Sequence, residues 1–217
     1  MRGVWLSVLW TCGAAMAAFP AAAADQAVCD GKLASQARPP ALVLSWTGEI
    51  RDPMAECIQG AFDRLAGSTR YIVLNLDSEG GSLLTTDRVI ATLKQMQKTH
   101  PLQTVVRHGR KCWSACVPVF LVGRERYGAL TSTWMFHEVW SKDRNGSAMV
   151  DRARSDRVFN DYFLAAGVSE AWLKRLYLLI PHSNYWQTGQ NLWDDKSGII
   201  TRPLDNLVPN YTERPIR

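Results

Sequence analysis

The sequence predicts an α/β fold, a parallel β-sheet core with helices on both faces and a helical C-terminal half. Three observations carry this expectation. Strand-like and helix-like segments alternate from Ala41 to His137, the pattern of a parallel sheet with crossover helices. Tyr71 to Leu76 is a near-continuous apolar run, as in strands buried on both faces. The apolar residues between such runs recur at helical spacing and stop at Gly67, His100-Pro101 and Gly123, so each helix turns one face to the sheet.

The chain has 217 residues. Its first 24 read as a secretory signal: Arg2 supplies the positive start, Val4 to Ala18 holds no charge, and Ala21 to Ala24 supplies small residues before cleavage near Ala24/Asp25. The apolar run falls short of the ~20 residues that span a bilayer. Cys12 lies inside the removed segment, so a periplasmic or secreted protein of about 193 residues is expected, enough for one core. The formal charge of +5 is too weak and too scattered for a nucleic-acid binder.

Residues 25–41, polar and proline-containing, read as a tether, and 42–201 as the folded domain. Ala41 to Gly48 is a first strand. Asp52-Pro53 marks a helix start, with Met54, Cys57, Ile58, Phe62 and Leu65 on its inner face. After the Tyr71–Leu76 strand, Asp77 to Gly81 is a tight turn and Ser82 caps a helix lined by Leu83, Val89, Ile90, Leu93 and Met96. Leu102 to Arg107 is a third strand and His108 to Trp113 a turn. Ser114 to Val122 is an apolar helix, and Thr131 to Phe136 a fourth strand that delivers His137. Glu138 to Gly146 reads as a polar loop, Ala148 to Ala166 and Glu170 to Ile180 as helices, Thr188 to Lys196 as a short helix, Gly198 to Thr201 as a last strand, and 202–217 as an irregular tail.

Four cysteines survive cleavage: Cys29, Cys57, Cys112 and Cys116. In an oxidising compartment they suggest two disulfides. Three pairings are open, and Cys29–Cys57 with Cys112–Cys116 is the most economical because the last two are close in sequence. A zinc site lacks a second cysteine pair at ligand spacing and any His–His pair, so no metal or other cofactor is expected.

Chemistry points to three strand ends. Ser114 follows a turn and opens a helix, where free N–H groups and positive potential can stabilise a developing oxyanion; taken alone, such a serine is a helix cap. His137 ends the next strand, and neighbouring parallel strands can set their C-terminal ends side by side, as an activated serine requires. Gly80-Gly81 also follows a strand and opens a helix, so the Gly81 and Ala115 N–H groups can form an oxyanion hole. A phosphate loop is disfavoured, because neither Gly-Lys-Ser/Thr nor Gly-x-Gly-x-x-Gly is present.

Asn75-Leu-Asp-Ser-Glu-Gly-Gly81 after a strand, Cys112-Trp-Ser-Ala-Cys116 entering a helix that ends at Gly123, and Phe136-His137 together resemble the Clp protease proteolytic subunit and its crotonase-fold relatives. With cysteines around the serine, the stretch looks like exported Clp-protease-like proteins of the periplasm. The resemblance spans Leu42 to His137 and thins beyond. It implies a Ser–His–Asp triad with Ser114 and His137, backbone donors at Gly81 and Ala115, and subunits that assemble into oligomers.

The position implied for the third member is Asn184, where the family has Asp. Asn orients an imidazole but does not stabilise imidazolium as a carboxylate does. Asp194 and Asp195 are the nearby carboxylates. A Ser–Lys dyad through Lys111 or Lys142 lacks the apolar setting a lysine base needs. The expectation is therefore an exported serine peptidase acting on peptides or unfolded segments, with no ATP-driven partner after export. Two alternatives stand beside it: a catalytically silent binding protein of the same fold, motivated by Asn184, and an acyl-CoA hydratase or isomerase, for which no acid/base Glu pair stands at matching positions.

Overall fold

The computed structural model describes residues 29, 32–142, 144–181 and 183–204. The segment 1–24 expected as a signal, most of the segment before Leu33, Asp143, His182 and the tail from 205 lie outside the described residues.

The main sheet has six strands in the order β1 (Leu33–Arg38), β2 (Ala41–Thr47), β3 (Tyr71–Asp77), β4 (Leu102–Val106), β6 (Glu125–Ala129) and β11 (Arg202–Leu204). From β2 to β11 all neighbours are parallel, and β1 pairs antiparallel with β2 as an edge. A second sheet of three strands runs β10 (Tyr185–Thr188), β7 (Thr133–Phe136), β5 (Lys111–Trp113), with β5 and β7 parallel and β10 antiparallel to β7. A hairpin of β8 (Trp140–Lys142) and β9 (Ala148–Val150) stands apart. The α/β architecture with a parallel core is as the alternation predicts.

Helix α1 (Met54–Leu65) crosses from β2 to β3, and α2 (Leu83–Met96) from β3 to β4. Both bury the faces their periodicity marks: Met54, Cys57 and Ile58 in α1, and Val89, Ile90, Leu93 and Met96 in α2. Alternation in the strands divides the core. Leu42, Leu44, Trp46, Ile72, Leu74 and Leu76 join the helices in the larger cluster. The opposite parity, Ala41, Tyr71, Val73 and Val105, joins Ala129 and Leu204 in a smaller cluster built, among the described residues, from strands.

Ser82 caps α2 as expected, its Oγ accepting from the Thr85 N–H at 3.3 Å. Asp52 does not cap α1. Its carboxylate instead accepts from Thr85 Oγ1 at 2.9 Å and from Arg88 at 2.6 Å, tying the start of α1 to α2. The Arg88 guanidinium, followed by the Thr85 hydroxyl, holds the Asp52 carboxyl below the ordinary carboxylate range.

Several boundaries differ from expectation. Residues 33–38, expected within a tether, form β1, whose polar sequence suits an edge strand with most side chains exposed. Lys111–Trp113, expected in a turn, is β5. Residues 125–129 form β6, where nothing was expected, because a buried arginine, Arg126, and a glycine, Gly128, break its apolar pattern. The helix expected from Ala148 begins at Arg152 as α4 (Arg152–Val158), after β9, and widens into a π-turn at Phe159–Leu164. The expected polar loop holds β8. The last strand is β11 rather than 198–201. The remaining α-helices among the described residues are α3 (Cys116–Leu121), α5 (Glu170–Leu179) and α6 (Gly189–Asp194). No described helix is long and apolar enough to cross a membrane.

Arg126 fastens β6 to the C-terminal half. It is 7 % exposed and donates to the carbonyls of Ile199, Gly198, Ala166 and Gly123 at 2.8, 2.7, 3.1 and 3.3 Å. Burial lowers its pKa.

Candidate active site

The two sheets are joined where β3 ends. Ser78 forms a parallel bridge to Cys112: the Ser78 N–H donates to the Lys111 carbonyl at 2.9 Å, and the Trp113 N–H to the Ser78 carbonyl at 3.0 Å. This seats the Gly80-Gly81 turn against the end of β5. There the chain reverses from strand to helix through Ser114, whose φ is +51°. A left-handed conformation costs a non-glycine residue about 1–3 kcal/mol and is held by its surroundings. Here they are explicit. The Ser114 N–H donates to the Met135 carbonyl of β7 at 2.8 Å, and a Cys112–Cys116 disulfide with Cα atoms 5.2 Å apart brackets the turn. The Cys29–Cys57 pair is also bonded, so both disulfides follow the most economical of the three pairings.

Both glycines are required by close approach. A Cβ on Gly80, whose φ is +94°, would stand 2.7 Å from the Trp113 carbonyl oxygen and 2.9 Å from Ser114 Cβ. A Cβ on Gly81 would overlap the Ile50 carbonyl oxygen. The turn is held to Ile50 on its other side: Ile50 N–H donates to the Gly80 carbonyl at 2.7 Å and Ser82 N–H to the Ile50 carbonyl at 2.9 Å. Among the described residues the N–H groups of Gly81 and Ala115 donate no hydrogen bond. Both residues line the cleft beside Ser114.

His137 follows β7 directly. The register pairs Trp113 with Met135, so Ser114 and His137 leave neighbouring parallel strands on the same end. The strand-end juxtaposition expected from the sequence is present, on the smaller sheet. His137 is half-buried, and its Nδ1 lies against the Glu138 carbonyl oxygen. An acceptor at Nδ1 requires the Nδ1–H tautomer and leaves the Nε2 lone pair open.

Ser114, Ala115, Gly81 and His137 line one cleft of about 590 Å³. The rest of the lining is largely apolar: Leu83, Pro118, Val158, Phe159 and Phe163, with Trp140 of β8 at 56 % exposure. The π-turn presents Phe159 and Phe163 together, their rings tilted against each other at 5.0 Å between centroids. Arg154 and Glu79 are the charged lining residues. Glu79 lies in the Asn75–Gly81 motif that the sequence singled out; nothing in the sequence marked Arg154 or Trp140.

Asn184 is not in the cleft lining. It is exposed; one step beyond the last β7–β10 pair, Tyr185 with Phe136, the antiparallel register sets Asn184 opposite His137, with no hydrogen bond between them. Asp194 accepts from Gln190 at 2.8 and 2.9 Å within α6, and Asp195 ends that helix; neither lines the cleft. Lys111 is 3.6 Å from Glu79 and lies 4.9 Å above the Trp113 ring. Lys142 sits in β8, outside the lining. His100 contacts Thr99 and Thr69, and His108 contacts Thr131. No cluster of His, Cys, Asp and Glu able to hold a metal occurs among the described residues.

No known family profile matches the sequence, and no curated protein matches it. Solved structures do match. ClpP1 from Listeria monocytogenes aligns with a TM-score of 0.56 at 18 % identity, over 83 % of this chain and 95 % of its own. A single-residue mutant of the same ClpP1 aligns with a TM-score of 0.58 at 18 % identity, over 85 % and 97 %. The chain has a ClpP-like fold.

Proposed function

We propose that the protein is an exported serine peptidase that transfers an acyl group to Ser114. One observation carries the reading: Ser114 holds a left-handed φ at a strand–helix corner, with the open N–H groups of Gly81 and Ala115 on the same cleft. A strained corner that exposes a serine beside two backbone donors is what acyl transfer requires. In the proposed reaction His137 Nε2 takes the Ser114 Oγ proton as Oγ bonds to the peptide carbonyl carbon. Negative charge moves to the carbonyl oxygen, held by the Gly81 and Ala115 N–H groups. The C–N bond then breaks, and the amine leaves with the proton from His137. Water, deprotonated by His137, releases the acyl group and restores Ser114.

The apolar wall of Phe159, Phe163 and Val158 supports a substrate with an apolar side chain next to the scissile bond. Two disulfides support an oxidising compartment, periplasmic or extracellular. An ATP-driven unfoldase does not operate there, so short peptides or unfolded segments are the proposed substrates, cleaved by a homo-oligomer. The test is hydrolysis of fluorogenic peptides beside a stably folded protein. Cleavage of the peptides and not of the folded protein, lost in Ser114→Ala, is expected; cleavage retained in Ser114→Ala contradicts the reading.

The second reading, a silent binding protein, is favoured by one observation: no carboxylate reaches His137 Nδ1 among the described residues. Peptide binding without turnover by the wild type would support it.

A further inference from the structure

We propose that Ser155 is a positioning residue for His137, acting through the Glu138–Val139 peptide group. The proposal rests on the reading of His137 as the base. The acceptor that a Ser–His pair draws from a third side chain is here a main-chain oxygen, since His137 Nδ1 lies against the Glu138 carbonyl. A carbonyl in a loop orients a ring only if its own peptide plane is fixed. That plane ends in the Val139 N–H, which donates to Ser155 Oγ at 2.8 Å. Ser155 is 3 % exposed. Its hydroxyl donates in turn to the Asp151 carbonyl at 3.0 Å, and the Asp151 N–H donates to the Val139 carbonyl at 2.8 Å.

Val139 is therefore gripped at both its N–H and its C=O by the start of α4. Because the peptide is planar, fixing the Val139 N–H fixes the direction of the Glu138 oxygen on its far side. The Asp151 side chain stiffens the anchor by capping α4 through the Arg154 N–H at 3.0 Å. The buried Glu138 side chain stands 4.0 Å from Arg152. The result is a chain of contacts from Asp151 through Ser155 and the 138–139 peptide to the imidazole. It selects the Nδ1–H tautomer and leaves Nε2 toward the cleft.

The charged groups around His137 are Glu138, next to it in sequence and 4.0 Å from Arg152, and Glu79 and Arg154, which line the same cleft. None of them changes in Ser155→Ala, so a change in His137 behaviour reports the hydroxyl.

The experiment uses the full mature chain. Nitrogen NMR of the imidazoles, with the His137 signals identified by their loss in His137→Ala, reads the tautomer above the imidazole titration. The rate of Ser114 labelling by a fluorophosphonate is followed from pH 5 to 9. In the wild type we expect a single His137 tautomer with Nε2 unprotonated. In Ser155→Ala we expect a mixture of tautomers and labelling about tenfold slower, a fraction of what general-base catalysis supplies. Ser155→Thr, which keeps the hydroxyl, should restore the wild-type tautomer. An unchanged tautomer together with an unchanged profile in Ser155→Ala overturns the proposal. A wild type that is not labelled at Ser114 counts instead against the peptidase reading, and the imidazole spectra then decide the positioning role alone.

Discussion

Gly80 and Ser114 are packed so closely that a methyl group on Gly80 would stand 2.9 Å from Ser114 Cβ and 2.7 Å from the Trp113 carbonyl oxygen. The turn after β3 and the corner after β5 are thus one rigid unit, and the glycine turn sets where the Gly81 N–H lies relative to Ser114. Gly80→Ala should therefore disturb the site as well as the fold. We expect a stability loss of about 2–4 kcal/mol by denaturant unfolding, from the steric contact and the φ of +94°. Ser114 labelling should fall to background in the protein that remains folded. Wild-type labelling in Gly80→Ala would mean the turn does not shape the site.

The two disulfides should separate stability from reactivity. Cys29 and Cys57 are 28 residues apart, Cys112 and Cys116 only 4. On a chain-entropy basis, removing the first should cost about 3–4 kcal/mol and the second about 2 kcal/mol. The Cys112→Ser/Cys116→Ser pair releases the bracket around the left-handed Ser114, so it should lose most of its labelling rate. The Cys29→Ser/Cys57→Ser pair, when folded, should keep it. Unfolding curves beside labelling rates on the two double variants check both halves, and equal labelling with and without reductant would exclude a role for the short disulfide at the site.

Arg126 is a buried cation satisfied by carbonyls alone. Arg126→Ala leaves several buried carbonyl oxygens without donors and should cost about 3–5 kcal/mol. Arg126→Lys cannot reproduce the planar fork and should recover less than half of that. Both effects are read in urea unfolding, and a loss under 1 kcal/mol in Arg126→Ala would show that β11 and the Gly198 turn do not depend on this residue.

The alkaline limit of stability should come from tyrosines. Burial, followed by the neighbouring Asp156, pushes the Tyr177 hydroxyl up to about 12 from 10.0. Burial and the hydrogen bond to Asp87 push Tyr162 higher still. A group whose pKa is raised on folding stabilises the fold fully below its unfolded value and loses that contribution as pH rises through the folded one. Stability should therefore fall between pH 10 and about 12. Tyr177→Phe should be flatter across that interval, and an equally steep decline in the variant would remove Tyr177 as a cause.

Much of the core was legible because it obeys two periods. The run at Tyr71–Leu76 and the spaced apolar residues of α1 and α2 leave their marks in the sequence, and the strand ends at Gly80, Ser114 and His137 follow from them. What was hidden has physical reasons. Strand β6 carries Arg126, which reads as surface until its carbonyl partners are seen. Strand β1 is an edge whose mostly exposed side chains carry no apolar alternation. The acceptor for His137 is a main-chain oxygen, which any residue type supplies, so attention fell on Asn184. Ser155 is one serine in the first turn of a helix, and its hydroxyl matters only through the peptide it touches.

The central claim is tested most directly by covalent labelling of the mature, oxidised protein with a fluorophosphonate, read by intact mass and peptide mapping beside Ser114→Ala and His137→Ala. The account predicts one adduct, on Ser114, absent in both variants. A folded wild type that takes no adduct, or one that takes it equally in His137→Ala, would contradict a serine activated by His137.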